Sequence, residues 1–344
     1  MREITITPNE AGGRLDKFLA RYLNAAPKSF FYKMMRKKNI TLNRKKCDGS
    51  ERLQEGDVLQ FFLSEETLEH FSKLKLPTQT PKKKKLDILY EDSDVLFLNK
   101  PAGMLSQKGK ASDSSLVEYL IAYLIDEGKM SEEQLRLCRP SVCNRLDYNT
   151  SGLIAAGRSL RGLQALSAAF RERSVKKYYR CIVSGKVCQK QRISGYLSKD
   201  ESQNKVQIFQ EEGEGRVFIC TEYEPLSYRN GYTLLQVELI TGKTHQIRAH
   251  LASIGHPIVG DMKYGDVEGN RLAKERYRVS CQLLHSYELC FPEDFALAAL
   301  RGKRIVAPLP PLYKRIMGEG GEAKKGGRKE GKEGKHGHLE EQRA

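Results

Sequence analysis

Residues 64 to 85 read SEETLEHFSKLKLPTQTPKKKK, a polar run with two prolines and four consecutive lysines. Proline interrupts helices and central strands, and a block of like charges repels itself, so residues 66–85 are predicted to be a basic linker of low structural content. That break divides the 344 residues into a short unit, 1–65, and a long one, 86–316, with a boundary near Leu86. A sizeable core fits only in the second.

Within the short unit, Leu15, Phe18, Leu19 and Tyr22 recur at helical spacing after Gly12-Gly13-Arg14, and Pro27 ends the pattern. A second helix is predicted over KSFFYKMMRKK, where Lys28, Lys33, Arg36, Lys37 and Lys38 supply charge, followed by the β-like ITLN and GDVLQFFL. In the long unit, DILYEDSDVLFLNKP reads as two strands joined at a turn, and KKYYRCIVSG and YTLLQVELI as further strands. Helices are predicted between them, over SLRGLQALSAAFRER and over THQIRAHLASIG, which Gly255 and Pro257 stop. Hairpins with intervening helices point to an α+β fold rather than an alternating parallel sheet.

Charge narrows the partner. The chain carries 59 Lys+Arg against 43 Asp+Glu, net +16. From Met317 onward, seven Lys/Arg and six Glu leave a glycine- and lysine-rich tail, predicted disordered over 317–344, with only about one of those charges. The excess therefore sits in the part that folds, which suits a polyanion such as nucleic acid or an anionic membrane surface. No apolar run approaches the roughly 18 residues of a membrane span, and MREITITPNE lacks a signal-peptide core, so a cytoplasmic location is expected. The eight cysteines form no CxxC pair and no zinc spacing with histidine, and read as reduced, mostly core-filling thiols.

Three places can carry chemistry. Asp147 precedes the turn-forming Asn149, Thr150, Ser151 and Gly152, and is either an Asx-turn residue or a carboxylate held at the rim of a sheet. His245 and Arg248 fall three apart on one predicted helix face, away from Ile247, Leu251 and Ile254, and form either a solvated face or a partner for a carboxylate. Tyr179 shares a strand face with Cys181 and Val183, and is either a core tyrosine or a ring for stacking on an unpaired base. His245, His250 and His256 are spaced by five and six residues, which does not match a two-histidine metal helix, so no metal site is expected.

Taken in order, RLDYNTSGL, KYYRCIVSG, TGKTHQIRAHLASIGHPIVGDMKYG and LLHSYELCF resemble the RluA branch of pseudouridine synthases, and ILYEDSDVLFLNKPAGML is similar to that family's opening hairpin. GGRLDKFLARYLN through GDVLQFFL is similar to the small S4 RNA-binding domain found ahead of many such enzymes. The resemblance implies a mixed, largely antiparallel sheet with a central cleft, behind a small α+β S4-like domain. It implies an isomerase of uridines in RNA, most of all large-subunit ribosomal RNA, acting as a monomer.

The resemblance also implies roles. Asp147 would be the nucleophile at ribose C1′, or act in glycosidic cleavage. Arg248 would pair with it. Tyr179 would pack on the flipped uracil and assist removal of the C5 proton. Arg145 would enter the RNA stack where the uridine has left, and Lys243, His245, Lys33, Arg36, Lys37 and Lys38 would contact RNA. Exchange of a carbon–nitrogen for a carbon–carbon glycosidic bond is redox-neutral and isomeric, so no cofactor is expected. The target base must be flipped out, and phosphate contacts must offset the lost stacking. The chain departs from the family at Asn144, where histidine is usual, and at Lys243, where arginine is usual. A non-catalytic RNA-binding assembly factor and a nucleoside hydrolase are the alternatives. The hydrolase calls for a second carboxylate or a metal to activate water.

Overall fold

The computed structural model describes residues 1–7, 10–72, 85–110, 112–200 and 205–318. The N-terminal unit consists of β1 (Arg2–Thr5), α1 (Leu15–Tyr22), α2 (Lys28–Arg36), β2 (Ile40–Leu42), β3 (Lys45–Lys46), β4 (Val58–Phe61) and α3 (Glu65–Phe71). Its strands pair antiparallel in the order β1-β4-β2-β3. All four apolar residues of the α1 stripe are buried, in one core with Phe31, Met34 and Met35 of α2 and Leu59 and Phe61 of β4. The opposite face of α2 leaves Lys33 and Arg36 exposed, with Lys37 and Lys38 exposed just beyond its end.

Helix α3 corrects the expected linker. Ser64 caps it by accepting the Thr67 N–H at 3.2 Å, Leu68 is buried in the N-terminal core, and the Phe71 ring lies 4.4 Å from that of Phe30. Two apolar residues three apart suffice for a one-sided helix when a core receives them. Any linker therefore starts beyond it, and residues 73–84 lie outside the described residues.

In the long unit, β5 (Ile88–Glu91) and β6 (Val95–Lys100) form the expected hairpin. There follow α4 (Leu116–Asp126), α5 (Glu132–Leu137), β7 (Ser141–Val142), β8 (Ser151–Gly157), α6 (Leu160–Glu172) and β9 (Lys176–Ser184). Next are β10 (Gln191–Asp200), β11 (Lys205–Phe209), β12 (Val217–Arg229), β13 (Tyr232–Leu239) and α7 (Gln246–Ser253). The unit closes with α8 (Val267–Tyr277), β14 (Leu284–Cys290), β15 (Arg304–Val306) and α9 (Pro311–Met317). Met317, assigned to the tail by sequence, ends α9 and is buried, while residues 319–344 lie outside the described residues.

The main sheet runs β11-β10-β12-β13-β9-β14-β8-β6-β5, with β15 on β14 and β7 on β8. Among the described residues β14 and β8 are its one parallel pair, so the α+β, mixed and largely antiparallel fold is as expected. Successive residues of β6 and β8 enter opposite layers. Leu96, Leu98, Ile154 and Ala156 pack with α4 and α7, whereas Val95, Phe97, Leu153 and Ala155 pack with α6. Burial on both faces explains why these strands read as nearly unbroken apolar runs. Among the described residues no helix is long and apolar enough to cross a membrane.

The parallel pairing aligns Ser286 of β14 with Gly152 of β8, and on its other side Ser286 aligns with Tyr179 of β9. Gly152 has φ +107°, and a Cβ there would lie 2.2 Å from the Ser286 carbonyl oxygen, so a side chain would push the strands apart. The loop before β8, which carries Asp147, thus opens beside Tyr179.

Candidate active site

Both residues flanking Asp147 are anchored through their backbone. Before it, Ser106 Oγ donates to the Leu146 carbonyl at 2.9 Å and accepts the Leu146 N–H at 3.0 Å. After it, the Tyr148 carbonyl accepts from the Gly103 N–H and from Lys100 Nζ, both at 3.0 Å. Lys100 is wholly buried, and its ammonium also donates to the carbonyls of Met104 at 2.8 Å and Pro101 at 3.1 Å. Burial pulls its pKa down to about 8 against the attraction of Asp147, which leaves it charged at neutral pH. Asn144 adds a further tie. Its Oδ1 accepts the Ala155 N–H at 2.7 Å and its Nδ2 donates to the Leu153 carbonyl at 3.2 Å, so the amide replaces ladder partners along β8.

Arg248 approaches from α7. It is buried rather than on a solvated face, and Nη1 donates to Asp147 Oδ2 at 2.9 Å. Its Nε and Nη2 take the two oxygens of Asp261 at 2.6 and 2.9 Å, and Asp261 also accepts the N–H groups of Lys263 and Tyr264. Burial works against the Arg248 charge, and Asp261 with Asp147 outweighs it, so its pKa is raised. Burial would likewise raise the Asp261 carboxyl, but Arg248 and those backbone donors hold it below its ordinary value. Asp147 keeps a side-chain exposure of 25%, and among the described residues its Oδ1 accepts no hydrogen bond.

Tyr179 lies in the apolar row with Cys181 and Val183, as the strand period requires. Burial, with a smaller contribution from the Asp147 charge and against the opposing effect of Ser286, pushes its hydroxyl up to about 12. His245 departs from expectation. It precedes α7 in the left-handed region, φ 55°, and does not sit on the helix face. Its side chain is 8% exposed, with Nδ1 3.0 Å from Tyr264 Oη and Nε2 3.8 Å from Asp147 Oδ2. His250 meets Thr221 and His256 meets the Ser184 carbonyl, so the three histidines face separate places. Arg145 and Lys243 are exposed. Lys33, Arg36, Lys37 and Lys38 belong to the N-terminal unit and take no part in this cluster.

Sequence reasoning missed Lys100, Ser106, Asp261 and Tyr264. Asp261, a lone acid, and Tyr264 both lie in the turn-rich HPIVGDMKYG, part of a motif that carries the resemblance but singles out neither.

One buried guanidinium thus bridges two carboxylates, one sealed and one open to an incoming ligand, beside a tyrosine ring. Residues 94–253, which include Asp147, Tyr179 and Arg248, match the family described as RNA pseudouridylate synthase, and residues 13–59 match the S4 domain. Ribosomal large subunit pseudouridine synthase C of Haemophilus ducreyi is 32% identical over 91% of this chain and 93% of its own. The protein of that name from Escherichia coli K12 is 29% identical over 91% of this chain and 95% of its own. The solved human RNA pseudouridylate synthase domain containing 1 shares the fold, with a TM-score of 0.53 at 22% identity over 70% of this chain and 91% of its own. The chain belongs to the RNA pseudouridylate synthase family, isomerases that turn uridine into pseudouridine, and carries an S4 domain at its N-terminal side.

Proposed function

We propose that this chain isomerises uridines of large-subunit ribosomal RNA, with Asp147 as the nucleophile. The observation that carries the reading is a single carboxylate, held between two anchored neighbouring residues, gripped on Oδ2 by Arg248 and open at Oδ1. The names of the curated relatives support the substrate. Asp147 attacks ribose C1′, or assists the loss of the base. The C1′–N1 bond breaks, the uracil turns over, C1′–C5 forms, the C5 proton leaves and N1 takes one up, so atoms and charge balance.

In this reading Arg248 holds the carboxylate and Tyr179 packs against the freed ring. With its hydroxyl near 12, Tyr179 stays a phenol at neutral pH and offers a ring face and an O–H rather than a strong base. Arg145, two residues before Asp147 and exposed, fills the gap left by the flipped base. Lys243 meets phosphate, its single ammonium taking the place of a planar fork. The unit ending with α3 grips RNA through Lys33, Arg36, Lys37 and Lys38, and residues 86–316 do the chemistry.

The test is to incubate purified protein with ribosomal RNA from a strain lacking the gene and to map pseudouridine by carbodiimide and primer extension. Modification at defined large-subunit positions supports the reading. Product found only in transfer RNA would replace the substrate, and none in either RNA would remove the reading.

A further inference from the structure

The left-handed backbone at His245 sends its imidazole between Tyr264 and Asp147. Histidine is among the residues that tolerate this region, and such conformations persist where the surroundings over-determine them. Tyr264 Oη already accepts a hydrogen bond, from the Val206 N–H of edge strand β11 at 2.8 Å. A phenol has one proton to donate, and His245 Nδ1 lies within reach of it at 3.0 Å. With that proton given to Nδ1, the neutral ring carries its hydrogen on Nε2, the arrangement on which the proposal below is built. That N–H faces the same Asp147 oxygen that Arg248 holds.

Burial, the largest influence, disfavours the imidazolium. Asp147 and Asp261 oppose this, Arg248 and Lys263 reinforce it, and the net direction is toward the neutral ring. Tyr264 is fixed from its other side as well, with its ring 5.2 Å from the Arg248 guanidinium carbon. Both ring nitrogens of His245 thus turn toward protein groups, which does not suit the RNA contact expected from sequence.

We propose that His245 is a positioning residue: locked by Tyr264 with its hydrogen on Nε2, it joins Arg248 on Asp147 Oδ2 and leaves Oδ1 as the reacting oxygen. This rests on Asp147 being the reacting carboxylate. The 3.8 Å separation closes to a hydrogen bond of about 2.9 Å when RNA fills the cleft, as active-site contacts tighten in complexes.

The test compares single-turnover conversion of a large-subunit ribosomal RNA transcript at saturating enzyme with the Kd for the same RNA. Tyr264→Phe keeps the ring and removes only the hydroxyl. It is expected to slow conversion about fivefold, the worth of one neutral hydrogen bond, with Kd unchanged. His245→Ala is expected to slow it by about thirtyfold, and His245→Gln, whose amide restores an N–H near Nε2, to recover most of that loss. Long-range proton–nitrogen spectra are expected to show a bare Nδ1 and a protonated Nε2 at His245. A raised Kd with an unchanged saturating rate overturns the proposal in favour of an RNA contact. Wild-type rates in all three variants, or the opposite tautomer, overturn it too. Asp147→Asn measured alongside separates the two levels: if it is inactive while the His245 and Tyr264 variants are normal, only this inference fails, and if it is fully active the nucleophile assignment fails with it.

Discussion

Arg248 holds Asp261 with two nitrogens, at 2.6 and 2.9 Å, and Asp147 with the third, at 2.9 Å. The sealed carboxylate sets the guanidinium plane, and the plane sets where the open carboxylate stands. A point charge could not fix that orientation, which the planar guanidinium fork does by pairing with both oxygens of Asp261.

Arg248→Lys is therefore expected to lower the single-turnover rate by about a hundredfold although the charge is kept, since an ammonium lacks the planar fork that grips Asp261 with two nitrogens while a third reaches Asp147. Asp261→Asn is expected to act in the same direction and to cost about 3 kcal/mol of stability, because it leaves a buried cation half paired. Rates at saturating enzyme and urea midpoints check both.

Lys100 ties Pro101, Met104 and Tyr148 through their carbonyls. Lys100→Met fills similar space but leaves the buried Met104 carbonyl without its donor and takes one donor from the Tyr148 carbonyl, and is expected to cost about 3 kcal/mol and to slow turnover by loosening the residue next to Asp147. A variant as stable and as active as wild type would mean that the loop is held by Ser106 and the backbone bonds alone.

Acid sensitivity follows from two histidines outside the site. Burial lowers His250 and His285 from the ordinary 6.5 to about 4, so the unfolded chain takes up protons between those values while the folded protein does not. More protons on the unfolded state means that stability is full above about pH 6.5 and is lost as pH falls toward 4. His245, also lowered, adds in the same direction. Between pH 7 and pH 5 each of the two contributes a loss of about 2 kcal/mol, and His285→Asn is expected to flatten the slope. Urea midpoints at the two pH values check this, and a stability that holds or rises on acidification contradicts it.

Changing Lys33, Arg36 and Lys37 together to alanine is expected to weaken RNA binding and to reduce the slope of log affinity against log salt by about two to three, with the single-turnover rate at saturating enzyme unchanged. Binding titrations at several salt concentrations measure it. An unchanged slope would place the RNA elsewhere.

Where local spacing decides the outcome, the chain was legible. Leu15, Phe18, Leu19 and Tyr22 could bury one face only as a helix, and the row of Tyr179, Cys181 and Val183 could do so only as a strand. The parts that stayed hidden depend on long-range neighbours. Arg248 and Asp147 are 101 residues apart, and resemblance rather than periodicity joined them. Lys100 reads as a surface base beside Pro101, because nothing local announces that three carbonyls will enclose it. Helix α7 was expected two residues too early, from Thr244, since an αL residue leaves no mark in hydrophobic spacing. Helix α3 was lost among the charges of a polar run, although Ser64 and Leu68 carried its cap and its anchor.

Tritium release from C5-labelled uridine in a large-subunit ribosomal RNA transcript, with wild type and Asp147→Asn side by side, tests whether Asp147 is the nucleophile. With Asp147 as the nucleophile the wild type is expected to release tritium and the variant, which keeps the shape of the side chain but removes its charge, to release none. Release by Asp147→Asn at the wild-type rate would contradict that assignment.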